Sequence, residues 1–121
     1  NGIGCVYVPP SFSPIKAGSD EMDKWDPKWK NSGYSSNDNY WAGAKKACDD
    51  IGMSLPDKSK LESLAKKTTA EKEQLGLPTS GWFWSSSETS VYYADTVIFA
   101  TGGTYNDYKH GSLNRVLCVG D

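Results

Sequence analysis

One histidine, two methionines and a net charge of only -2 are the scarcities that bound what this chain of 121 residues can do. His110 is the sole imidazole, so neither a His-based zinc site nor a Ser-His-Asp arrangement has its usual parts. No apolar run approaches the roughly 20 residues that cross a bilayer as a helix. The chain starts at Asn1 with neither an initiator Met nor the apolar stretch of a signal peptide, as expected of a processed soluble piece. With 13 basic against 15 acidic residues there is no electrostatic footprint for nucleic acid or an anionic membrane, and without a spanning run no direct membrane insertion is expected. Gly102-Gly103 is not followed by a helical pattern, so no phosphate-cradling glycine motif is present either.

What is abundant is aromatic. Five Trp, seven Tyr and three Phe accompany twelve Gly, a profile of rigid amphipathic rings set among irregular loops. Tyr and Trp give large contact area at low entropy cost, which suits a binding surface better than a catalytic pocket. The Trp residues serve equally well as large fillers of a small core. A chain of this size makes one domain that buries roughly two-thirds of its unfolded surface. Of three cysteines, Cys48 sits on a helical face and Cys118 in a strand pattern, and they are the favoured disulfide pair. Cys5 is left over, as a buried thiol or a pairing site for a segment outside the chain.

Gly4-Cys-Val-Tyr-Val8 alternates as a terminal edge strand and ends at Pro9-Pro10. Residues 11 to 39 read as a long polar loop in which Pro27 stops any regular helix and Trp25 and Trp29 act as lids over a core. Asp38 or Asn39 caps a helix with Trp41, Ala44, Cys48 and Ile51 on its apolar face, closed by Gly52. Asp57 caps a second with Leu61, Leu64 and Ala65 inward, and Thr68 with Glu71 has capping-box spacing for a short third that stops at Gly76. Beyond Gly81 the period turns to strands: Trp82 to Trp84, Tyr92 to Ala100, a turn at Gly102-Gly103, and a closing strand from Val116 to Val119. Helices first and an antiparallel sheet second is the order of an α+β fold.

The ordered set Trp41, Ala44, Cys48, Gly52, Leu55-Pro56, Leu61, Leu64, Trp84 to Glu88, Ala94, Gly102-Gly103, Arg115 and Cys118-Val119 resembles a bacterial branch of the C-type lectin fold. That branch includes the C-terminal domain of the Legionella collagen-like adhesin and the Fibrobacter major paralogous domain. The resemblance implies two helices flanking a small antiparallel sheet with long irregular loops, a helix-to-last-strand disulfide, and a ligand surface at the C-terminal end. Some members are similar to variable proteins of diversity-generating retroelements, in which adenine mutagenesis randomises codons near the 3′ end. Residues 89 to 114 use largely the alphabet such mutagenesis yields, around a frame of Trp84, Ala94, Lys109 and Cys118. Any Tyr-rich hairpin would use it too. The chain departs from the calcium-binding motifs of lectins in the narrow sense; the oxygens available for Ca²⁺ are those of Asp95, Asn106 and Asp107.

The leading expectation is a non-catalytic adhesin or receptor-type module, extracellular or at the cell surface, with a protein or glycan on another cell or surface as partner and no cofactor. Its contact residues are Tyr92, Tyr93, Asp95, Phe99, Tyr105, Asp107, Tyr108, His110 and Asn114 as exposed positions of the late strands. Glu88 reads as bonded within the loop after Ser85-Ser-Ser87, since an acid pair with Asp95 or Asp107 needs a defined separation that spacing does not give. The alternatives are the globular head of a type IV pilin-like subunit, assembling through residues 11 to 39, and an enzyme related to the formylglycine-generating fold, which the shortage of His and free Cys disfavours.

Overall fold

Two capped helices and a three-stranded sheet carry the architecture, which a computed structural model describes for residues 5–111 and 113–120. Gly4 of the expected first strand and Ser112 of the tail lie outside the described residues. Helix α2 (Tyr40–Asp49) starts where the Asn39 side chain accepts the Ala42 N–H at 2.8 Å, and it ends before Gly52, whose φ of 74° reverses the chain. Helix α3 (Lys58–Ala65) is capped by Asp57, and α4 (Thr69–Gln74) by the reciprocal Thr68–Glu71 box. Ile51, expected on the buried face of α2, lies past its end and is 49% exposed, because the helix has already terminated.

The strands β2 (Trp82–Glu88), β3 (Tyr93–Ile98) and β4 (Thr104–Tyr108) form an antiparallel sheet in that order, leaving β4 at the edge. Successive side chains of a strand point to opposite faces, and Trp84 stands opposite Thr96 while Phe83 stands opposite Val97. One face therefore carries Trp84 and Ala94, which pack with Trp41, Ala44 and Cys48 of α2 and with Leu55 and Val116. The other carries Phe83 and Val97, packed with Leu61, Leu64 and Ala65 of α3 and with Leu77, Phe99 and Leu117. The two long helices thus flank the sheet from opposite sides, and the fold is α+β. A second sheet of two strands joins β1 (Val6–Tyr7) to β5 (Cys118–Val119), antiparallel. The closing strand is shorter than Val116–Val119, although Val116 and Leu117 are buried beside it.

Residues 11–39 correct the expectation of a plain loop. Helix α1 (Met22–Trp25) and a 3-10 turn (Pro27–Asn31) meet at Pro27, and Ile15, Met22, Trp29 and Ala42 make a third small core against which Trp25 packs. Trp29 is a core residue here, fully buried. Gly43 makes the close contact with this segment: a Cβ there would fall 2.2 Å from the Ser13 carbonyl oxygen. At the β3–β4 turn Gly102 takes a φ of 77° with the Lys66 stem lying where a Cβ would point.

Cys48 and Cys118 are bonded, with Cα atoms 5.4 Å apart and a sequence separation of 70, and Cys5 is a free, exposed cysteine, which removes the buried-thiol reading. Closing a loop of that length confines the unfolded chain and stabilises the fold by about 4 kcal/mol. Replacing both Cys48 and Cys118 by Ala is expected to lower the unfolding free energy by roughly that amount in a urea titration. A loss below about 1 kcal/mol would show that the sheet and helices hold without the bond.

Candidate functional site

Lys109 is the anchor from which the exposed end of the sheet is built. Its side chain is fully buried, and its Nζ donates to Asp26 Oδ2 at 3.0 Å and to Glu88 Oε2 at 2.5 Å, 4.3 Å from the centre of the Trp41 ring. Its carbonyl accepts the Tyr40 N–H at 2.7 Å and the Trp41 N–H at 3.3 Å, two donors that the first turn of α2 leaves without helical partners. Asn39 closes the arrangement by donating to Asp26 Oδ2 at 2.9 Å while it caps α2. Glu88 is thus part of an ion network, with Lys28 3.4 Å from its second oxygen, and is not bonded within the Ser85–Ser87 loop as expected. Partial burial raises the Glu88 pKa, but the hydrogen bond and charge of Lys109, with Lys28, outweigh it and leave the carboxyl below its ordinary value. Burial pushes the Lys45 ammonium below its usual range; it sits 3.6 Å from the centre of the Trp41 ring and donates to the Trp25 carbonyl.

Residues either side of Lys109 reach the surface. Tyr108 stands opposite Tyr93 across β3 and β4, ring centres 4.6 Å apart, and stacks on His110 at 5.1 Å. Tyr34 joins them from the loop after the 3-10 turn: its ring lies 5.1 Å from Tyr92, 5.6 Å from Tyr108 and 5.1 Å from His110, and it stacks on Trp29 at 6.2 Å. Hydrogen bonding with the Tyr108 side chain raises the Tyr34 and Tyr93 phenols above their ordinary pKa. Tyr34 was not among the expected contact residues. Nothing in its polar, Ser-rich surroundings links it to strands sixty residues away; the only signal was an isolated aromatic beside the Trp25 and Trp29 anchors.

Four other expected positions behave differently. Phe99 is fully buried against Phe83, with ring centres 4.9 Å apart, so it belongs to the core and not to the contact surface; it falls in the β3–β4 turn, where the chain folds back onto α4. Asn114 is also buried and donates to Asp107 Oδ2 at 2.8 Å, which makes it a support for that carboxylate. Asp95 accepts from Thr89 Oγ1 at 3.0 Å on the half-exposed part of β3. Tyr105 is exposed, but three residues before Tyr108 on the same strand it faces the other side of the sheet, where it packs on Trp82 at 5.4 Å. The single platform expected from the sequence is two aromatic groups on opposite faces.

The sequence pattern of the InvE_AD family, an adhesion domain, matches residues 9–119. The chain belongs to this adhesion domain family. No curated protein matches it. The matched span holds both aromatic groups, the Lys109 network and the disulfide, so the site lies within the adhesion domain itself. Adhesion in turn implies binding to an external ligand.

The Ca²⁺ set does not converge in this adhesion domain. Asp95 and Asn106 are opposite one another, whereas Asp107 follows Asn106 and so points to the other face, tied to Asn114. Among the described residues no three His, Cys, Asp or Glu side chains group as metal ligands.

The Glu88 pairing sets a pH dependence. A carboxyl whose pKa is lowered by folding stabilises the fold above its unfolded value of about 4.3 and loses that contribution as pH falls through the lower, folded value. The domain is expected to lose stability as pH drops below about 4.3, with a shallower loss for Glu88→Gln when the two are compared by chemical denaturation at each pH. Equal slopes would place the acid sensitivity elsewhere. Lys109→Met leaves Asp26 buried beside an uncharged chain and is expected to cost about 3–5 kcal/mol.

Proposed function

We propose that this domain is a non-catalytic adhesin module at the cell surface, and that Tyr34, Tyr92, Tyr93, Tyr108 and His110 form its principal contact with a protein or glycan on another surface. The observation that carries the reading is the placement of these five rings around one point while the adjoining Lys109 is fully buried. Rings held by packing lose little freedom on binding, and their hydroxyls and imidazole supply directional hydrogen bonds. Membership of the adhesion domain family supports the binding role, and a disulfide of this kind persists in oxidising, extracellular surroundings. Two helices either side of a sheet and a helix-to-last-strand disulfide agree with the likeness to the C-type lectin fold.

Diversification of residues 89–114 is part of the same proposal. The frame positions Trp84, Ala94, Lys109 and Cys118 are fully buried, whereas Tyr92, Tyr105, Asn106 and Tyr108 are exposed, which is the division a variable surface on a fixed core requires. Thr96, Val97, Phe99 and Asn114 in the same stretch are buried, so variation compatible with the fold is confined to the exposed subset.

Replacing Tyr92 and Tyr108 together by Ala is expected to reduce attachment of beads carrying the domain, across a panel of cell types, by about tenfold or more. The unfolding free energy should change by less than about 2 kcal/mol, since both rings are exposed. Phe99→Ala, by contrast, is expected to cost about 3–5 kcal/mol. Attachment that survives the double substitution would remove this surface from the contact.

A further inference from the structure

The second aromatic group, on the opposite face from the Tyr34 cluster, opens onto a hollow that the proposed contact does not use. Trp82, Tyr105, Asn106, Asp107, Leu113 and Asn114 line a pocket of about 420 Å³, within the size range of small-ligand sites. Trp82 and Tyr105 are 42% and 56% exposed with ring planes only 31° apart, so together they present a shallow aromatic strip beside an edge strand. Leu113, 91% exposed, also lines it.

The polar part of this pocket is as ordered as its apolar part. Asp107 receives the Tyr108 N–H on Oδ1 and the Asn114 amide on Oδ2, each at 2.8 Å, which fixes the plane of the carboxylate. An ionised carboxylate has about four acceptor positions, and two of them remain for a ligand's donors. The only formally charged side chain among the lining residues is this one, and none is basic. A fitting ligand therefore has an apolar face for the rings, hydroxyl donors along its edge for Asp107, and no negative charge.

We propose that Trp82, Tyr105 and Asp107 form a binding site for a neutral sugar ring, the C–H face of a pyranose lying on the aromatic strip and its hydroxyls donating to the carboxylate. Sialylated or sulfated sugars would bring an anion against Asp107 and are disfavoured. No calcium ion takes part, since recognition runs through rings and one fixed acceptor. A basic peptide is the competing occupant, because an ammonium or guanidinium group also suits an aromatic ring beside a carboxylate; such binding would weaken steeply with salt, whereas stacking of a neutral sugar would not. The larger hollow between Pro9–Pro14 and α2, about 440 Å³, offers no such site, as Lys46 there is occupied by Asp50 at 2.8 Å and by Glu21.

The test is a glycan array of neutral and acidic oligosaccharides, read with the unaltered domain, Trp82→Ala, Tyr105→Ala, Asp107→Asn and the Tyr92/Tyr108 double Ala variant. Binding to neutral glycans is expected, unaffected by a chelator and by salt. Either ring substitution should weaken it about tenfold or more, and Asp107→Asn should weaken it as well. Glycan binding lost in the double variant of the other face but kept in the Trp82, Tyr105 and Asp107 variants would assign the sugar to the Tyr34 cluster and overturn this proposal, so its failure and the failure of that contact are separable. Melting curves identify any variant that has unfolded; Tyr105→Ala on the open edge strand and the near-isosteric Asp107→Asn keep the question answerable if Trp82→Ala is one. Absence of any retained glycan, retention of acidic glycans alone, or capture of an oligolysine probe that vanishes at high salt would each overturn the assignment.

Discussion

The buried charge of Lys109 is the constraint on which the exposed end of this molecule depends. Four segments remote in sequence meet at it: the residue before the 3-10 turn, Asp26, the start of α2 through Tyr40 and Trp41, the end of β2 through Glu88, and the turn that follows β4 through the residue itself. An ammonium without these partners could not stay in the interior, because stripping its water costs several kcal/mol. The pairs return enough to keep it there without adding much net stability. What the network supplies is definition, since with every member bonded only one arrangement of the four segments satisfies all of them. The neighbouring Tyr108 and His110 flank Lys109 in the chain and inherit that definition.

Period-2 alternation then decides what the surface can be. Because Trp84 and Phe83 lie on opposite faces, each face of one small sheet is covered by one helix, α2 or α3, but only over the part the helix reaches. The uncovered remainders are the two aromatic groups. Tyr93 and Tyr108 extend the Phe83 and Val97 face, and Trp82 and Tyr105 extend the Trp84 face. Their separation follows from strand geometry and not from distance along the chain, which explains why Tyr105 and Tyr108, three residues apart, serve different surfaces.

Local signals in the sequence were readable where the governing forces are local. Caps at Asn39, Asp57 and Thr68, the stops at Gly52 and Gly76, and the inward face of Leu61, Leu64 and Ala65 all depend on neighbours within a few positions, and they stand as read. The pairing of Cys48 with Cys118 was legible because each sulfur lay on a face whose burial the pattern already indicated. What could not be read depends on contacts of long range. Tyr34 joins the site only because Trp29 anchors its loop, and Glu88 meets Lys109 only because β2 and β4 end at the same level. Phe99 looked like a strand residue with an outward option, yet the turn it occupies places it beside Phe83. Strand alternation was visible, but without the pairing register it could not say which tyrosines share a side.

The atoms that hold this fold and the rings that it exposes are consequently different ones. The disulfide, the two helix–sheet cores and the Lys109–Asp26–Asn39 part of the charge network lie among buried residues, while the exposed rings hold few of the contacts that define the fold. A surface of this kind can change its side chains at a cost of a few tenths of a kcal/mol each, provided the strand register is kept. The same reasoning limits that freedom at two points. Asp107 is bound through Asn114, so a change at either alters the other, and Tyr108 shares hydroxyl contacts with Tyr34 and Tyr93, so those three vary as a set. Side chains can change most freely at Tyr92, Tyr105 and Asn106, which are exposed and engage neither the core nor the charge network.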